Sequence, residues 1–152
     1  MINDRSHVDK AAAYYSKGFN CSQSVFTAYA AEWGIEEELA LKLGTNFGSG
    51  ARKGELCGAV SGALMVLGLK CGHCDSRDME AEAKAYAVSE EYMNRFMKAN
   101  GSVVCRDILG CDLTKPDDRA QIKEKDLFHT ICPEMVRSAV TILEEMSSEG
   151  IC

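Results

Sequence analysis

The sequence contains no hydrophobic run long enough to cross a bilayer. Its longest apolar stretch, Leu56 to Leu69, is interrupted by three glycines and falls short of the roughly 20 residues a transmembrane helix needs. It reads as a buried core helix. The opening MINDRSHVDK is polar and lacks the apolar segment of a secretory signal, so a cytoplasmic location is expected. Positive charge is also short: 17 Lys+Arg stand against 23 Asp+Glu, a net charge of −6. No basic stripe reverses this locally, and an acidic surface repels phosphate backbones, which argues against nucleic-acid binding. Strand-like alternation, internal repeats, low-complexity tracts and linkers are missing too. Residues 1–152 therefore read as one helical domain. The segment Gly44 to Gly54 has four glycines, but it lacks GK[ST] and follows a helix rather than a strand, so it is no phosphate cradle. No hydrolytic triad or acid–base carboxylate pair is readable.

What the sequence does carry is helical periodicity. Val8 to Lys17 is amphipathic and ends at Gly18. Asn20, with Gln23 three residues later, has the form of a capping box for a helix carrying Phe26, Tyr29, Ala30 and Trp33 and stopping at Gly34. Glu36 to Leu43 is a short helix. Glu55 to Leu69 follows the glycine-rich loop, and a long helix runs from a Ser76 cap to about Asn100. Its apolar stripe is Met79, Ala83, Tyr86, Met93 and Met97. A helical turn spans Cys105 to Leu109. Pro116 and Pro133 sit where a first helical residue tolerates proline. The last helix has Val136, Ala139, Val140, Leu143 and Met146 on one face. The expected fold is all-α, a compact bundle of about five to seven helices.

Eight cysteines are the chief anomaly. A disulfide-stapled secreted domain would explain them, but such domains are short and loop-rich, and this chain can bury a core without staples. Four of the eight fall at expected helix starts: Cys21 after the Asn20 cap, Cys57 in the first turn of the apolar helix, Cys105 and Cys132. The unpaired N–H groups and positive dipole end of a helix stabilise a thiolate. The expectation is that all four thiols are acidified below the usual value of about 8.5, with Arg52 and Lys53 helping Cys57. The bland reading is that these cysteines only pack.

The run CGAVSG (57–62), with Cys21 before it and Cys105 and Cys132 after it, resembles the C_GCAxxG_C_C family of redox-active proteins. The similarity runs from about Gly18 to about Leu143. It takes in GFNCSQ (18–23), the glycine-rich loop, CRDILG (105–110) and the Cys132–Pro133 pair. The resemblance implies a small helical fold and redox activity on four defining cysteines, here Cys21, Cys57, Cys105 and Cys132. It also implies kinship with a domain of split-Soret-type cytochromes, where an iron–sulfur role has been considered. The motif glycines Gly58 and Gly62 share one helix face and allow a second backbone to come close, a packing role rather than a cofactor contact.

Cys71 and Cys74 form a CxxC outside that set, read as an accessory or resolving dithiol. No sheet is readable to make it thioredoxin-like, and Asp75 stands where haem attachment requires His. The Cys105/Cys111 spacing supplies no second zinc pair. His129, three residues before Cys132, is a candidate proton acceptor or ligand. Cys111 and Cys152 carry no signal. Three readings follow: thiol/disulfide chemistry with an unidentified redox partner, an iron–sulfur or other metal site held by the four cysteines, and a non-catalytic helical scaffold that can dimerise through an apolar face. Oxidoreductase activity is compatible with the first two and required by neither.

Overall fold

The computed structural model describes residues 5–152; the first four residues of the polar N-terminal segment lie outside them. The described residues form nine α-helical segments, somewhat more than expected because several are short. They are α1 (His7–Ser16), α2 (Cys21–Ala30), α3 (Glu37–Gly44), α4 (Gly58–Cys71), α5 (Met79–Asn100), α6 (Cys105–Leu109), α7 (Pro116–Glu124), α8 (Leu127–Thr130) and α9 (Cys132–Ser148). The only β-pairing among the described residues is a single antiparallel bridge, Leu56 to Val104.

α2 is the hub. Every one of its residues except Gln23 is buried, and it packs against α1, α3, α4 and α9. Its start is fixed by a full capping box: Asn20 Oδ1 accepts from the Gln23 amide at 2.9 Å, and Gln23 Oε1 accepts from the Asn20 amide at 3.0 Å. α4 is apolar almost all round, as a central helix must be. It begins at Gly58 rather than Glu55, because Leu56 pairs with Val104 in the bridge and Glu55 and Cys57 on either side of it are non-helical.

α5 departs from expectation in two ways. Its cap is Asp78, which accepts from the Ala81 amide at 3.0 Å, not Ser76. Its buried face is Val88, Tyr92 and Phe96, whereas Met79, Tyr86 and Met97 are exposed. Both stripes have helical spacing, and packing against α4 and α9 selects between them. Tyr92 donates to the Ala139 carbonyl at 2.9 Å, so its hydroxyl is satisfied inside the core. Burying a ring such as that of Phe96 stabilises the fold by about 1.5–3 kcal/mol. On α9 the anticipated face of Val136, Ala139, Val140, Leu143 and Met146 is buried. No helix among the described residues is long and apolar enough to cross a membrane.

Candidate functional site

Four helices begin on cysteine or are capped by it. Cys21, Cys105 and Cys132 are the first residues of α2, α6 and α9, and Cys57 is the N-cap of α4. All four are buried and unbonded. All four line one cleft of about 580 Å³, together with Tyr15, Arg52, Arg119, Lys123, Asp126 and His129.

Two local devices gather these helix starts. The first is the bridge, in which the Cys57 amide donates to the Val103 carbonyl at 2.8 Å and the Cys105 amide to the Glu55 carbonyl at 2.6 Å. Cys57 and Cys105 thus sit diagonally on the same face of a two-stranded contact. Arg106 locks the pairing by donating to Glu55 Oε1 at 2.8 Å. The second device is the Gly58 and Gly62 pair. A Cβ at Gly62 would lie 2.8 Å from the Ser22 carbonyl oxygen, and one at Gly58 would lie 3.1 Å from the Phe47 oxygen and 3.2 Å from the Ser22 nitrogen. Only glycine lets α4 lie this close to the start of α2, and Cys21 is the neighbour of Ser22.

The cleft wall before Cys57 is strained. Ser49, Ala51 and Arg52 have φ of 54°, 55° and 65°, a left-handed conformation that costs an ordinary residue about 1–2 kcal/mol. The turn is closed by the Glu55 amide donating to the Gly50 carbonyl at 3.1 Å. Glycine alone does not account for this loop, since these three residues bear side chains.

The electrostatics correct the expectation that all four thiols are acidified. Burial pushes Cys57 from its ordinary value of 9.0 up to about 11, although the Ala59 and Val60 amides at the helix start pull the other way. Burial likewise pushes Cys105 to about 12. Cys21 is raised well above its ordinary value, first by its hydrogen bond with Cys132 and then by burial. At Cys57 desolvation outweighs the helix terminus, and at Cys105 it is the leading cause of the rise. Cys132 alone is lowered. Its thiolate accepts a hydrogen bond from Cys21, is further favoured by the Tyr15 hydroxyl and the charge of His129, and is opposed by burial. The one proton of the Tyr15 hydroxyl is donated to the Phe128 carbonyl at 2.5 Å, so it serves Cys132 only by turning from that carbonyl, and Asp126 Oδ1 lies 2.6 Å from His129 Nδ1. Cys132 is thus the most readily ionised of the four cleft thiols, and its acidity depends chiefly on its neighbour Cys21.

The other cysteines are placed apart. Cys71 ends α4, the helix that Cys57 caps, about 21 Å away along its axis. It is bonded to Cys152, with a Cα–Cα distance of 6.1 Å, while Cys74 is exposed and free. The Cys71–Cys74 pairing is therefore replaced by a tether to the last residue, across 81 residues of chain that leave no local pattern to read. Cys111 is buried, with its Sγ 3.9 Å from Gln121 Oε1. Tyr15 is a site residue that no spacing rule marks. Among the described residues no three His, Cys, Asp or Glu side chains are grouped to hold a single metal ion.

A family model described as "Putative redox-active protein (C_GCAxxG_C_C)" matches residues 19–146. That span includes all four cleft cysteines and excludes Cys152. No curated protein and no solved structure matches the chain.

Proposed function

This chain belongs to the C_GCAxxG_C_C family, and on that premise we propose that it reduces disulfides, with Cys132 as the attacking thiolate and Cys21 as the resolving thiol. The observation that carries the reading is that Cys21 and Cys132 line one cleft, where Cys132 is the one thiol whose acidity is enhanced, chiefly through Cys21. The thiolate is the attacking form. Cys132 Sγ attacks one sulfur of a substrate disulfide, forms a mixed disulfide with it, and expels the other half as a thiolate. With the charge gone from Cys132, Cys21 loses its anionic hydrogen-bond partner and passes its proton to the departing thiolate. Cys21 Sγ then attacks Cys132 Sγ and releases the second half of the substrate. The protein ends two electrons poorer, with a Cys21–Cys132 disulfide, and the substrate ends as one thiol, protonated by Cys21, and one thiolate, which takes its proton from solvent. Tyr15 and His129 hold the charge on Cys132 before the attack.

A second reading rests on the same convergence. Four cysteines around one cleft are the usual donor set of an iron–sulfur cluster. A lone ion does not fit the grouping, but a multi-iron body keeps its ligands apart and fits the donor chemistry. Cys21, Cys57, Cys105 and Cys132 would hold it, and it would supply one-electron transfer.

The test uses protein prepared and reduced without oxygen, then offered a small disulfide. Wild type is expected to lose two cleft thiols without mixed-disulfide accumulation. Cys21→Ser should stop at a mixed disulfide on Cys132, and Cys132→Ser should lose no cleft thiol, the exposed Cys74 being counted separately in all three proteins. Equal reactivity of all three proteins would remove Cys132 and Cys21 from these roles. Stoichiometric iron and sulfide in the purified protein would favour the cluster.

A further inference from the structure

The cleft carries charge of the sign opposite to the chain. The sequence has net charge −6, yet Arg52, Arg119 and Lys123 line the cleft that contains Cys132, with Asp126 as the only carboxylate. Asp126 is engaged by His129 at 2.6 Å. None of the three cations forms an ion pair with a carboxylate among the described residues. Arg52 is moreover held on the strained left-handed turn, where its guanidinium donates to Ser49 Oγ at 3.3 Å. Backbone strain kept at a ligand-facing position is a common mark of a binding wall. Apolar side chains, among them Phe19, Leu113 and Met135, line the same cleft as the cations and the sulfurs. The volume, about 580 Å³, is that of a small-molecule site rather than a protein-docking face.

We propose that this cleft selects anionic, carboxylate-bearing low-molecular-weight disulfides, with Arg52, Arg119 and Lys123 receiving the carboxylates while the disulfide reaches Cys132. This deepens the thiol–disulfide reading and rests on it. Cations that have no carboxylate partner of their own raise the local concentration of an anionic substrate and repel a cationic one. The covalent step is the exchange given above, with the cleft dithiol as reductant. The attraction acts on encounter and orientation, not on the sulfur chemistry.

Three probes separate charge from reactivity: glutathione disulfide, which has more carboxylates than ammonium groups, neutral hydroxyethyl disulfide, and cationic cystamine. Each rate of oxidation of the reduced full chain is divided by the rate of the same disulfide with a free small thiol, which cancels leaving-group differences. The normalised rate for glutathione disulfide is expected to exceed that for cystamine by about tenfold or more at low ionic strength. The advantage should shrink as the screening length falls from about 30 Å at 0.01 M salt to about 3 Å at 1 M. In Arg119→Glu/Lys123→Glu the preference should vanish or reverse. Lys84→Glu/Lys98→Glu, an equal charge change on the exposed side of α5, should keep it. Equal normalised rates for the three probes would overturn the anion preference and leave the thiol reading standing. Failure of all three to oxidise Cys21 and Cys132 would overturn both.

Discussion

Cys132 shows how little of a thiol's acidity is decided by its position on a helix. Four sulfurs share a helix start, yet three are raised: Cys57 and Cys105 chiefly by burial, and Cys21 first by its interaction with Cys132 and then by burial. What singles out Cys132 is its partners, first Cys21 and then Tyr15. Tyr15→Phe should therefore raise the pKa of Cys132 and slow its alkylation at neutral pH severalfold, as followed by mass spectrometry of the peptide that contains it. An unchanged alkylation rate would show that the hydroxyl serves only the Phe128 carbonyl. The raised thiols have a consequence for stability. Cys57 and Cys105 fold protonated, with values of about 11 and about 12 against an ordinary 9.0. Their stabilisation is fully present below pH 9.0 and is lost as pH rises through about 11 to about 12. The urea midpoint should fall over that window, and fall less in Cys57→Ala; a midpoint that stays flat would contradict the burial argument. The placement of these cysteines could be read from neighbouring cap residues such as Asn20 and Gln23, because capping is local. Their acidity could not, because desolvation belongs to the packed interior.

Among the elements, the α2–α4 contact sets the geometry of the site. A methyl group at Gly62 would meet the Ser22 carbonyl at 2.8 Å, so Gly62→Ala must push the two helices apart or distort one of them. The expected cost is about 1–3 kcal/mol, seen as a lower urea midpoint, together with slower formation of the Cys21–Cys132 disulfide as the start of α2 shifts. Normal stability and normal oxidation in that variant would show that the helices can slide at no cost. Helix ends that depend on single residues were legible beforehand. Gly34 and Gly110 close their helices in the left-handed conformation, and Pro116 and Pro133 open theirs. The buried side of α5 was not legible, since the stripes through Met79 and through Val88 are equally periodic and only the neighbouring helices choose. Nor was the bridge that brings Cys57 and Cys105 together. It joins residues nearly fifty positions apart through two backbone hydrogen bonds, a signal too short to stand out as a strand.

Across the whole molecule, thiol chemistry is divided between two ends of α4. At its start lie the four cleft cysteines, and at its finish the Cys71–Cys152 link ties the last residue of the chain to the bundle. Closing so long a loop restricts the unfolded chain, and Cys152→Ser should lower stability by about 2–4 kcal/mol in urea titration under non-reducing conditions. Because Cys71 lies about 21 Å along α4 from Cys57, the same variant should react with small disulfides at the wild-type rate. A slowed reaction would mean that the tether and the cleft are coupled.

The disulfide made during turnover tests the roles of Cys132 and Cys21 most directly. Reduced protein should be treated with one equivalent of a small disulfide, quenched with an alkylating agent and mapped by peptide mass spectrometry. Cys21 linked to Cys132 is expected, with Cys57, Cys105 and Cys111 recovered as alkylated thiols. Recovery of Cys21 and Cys132 as separate alkylated thiols while the oxidant is consumed elsewhere would contradict the account.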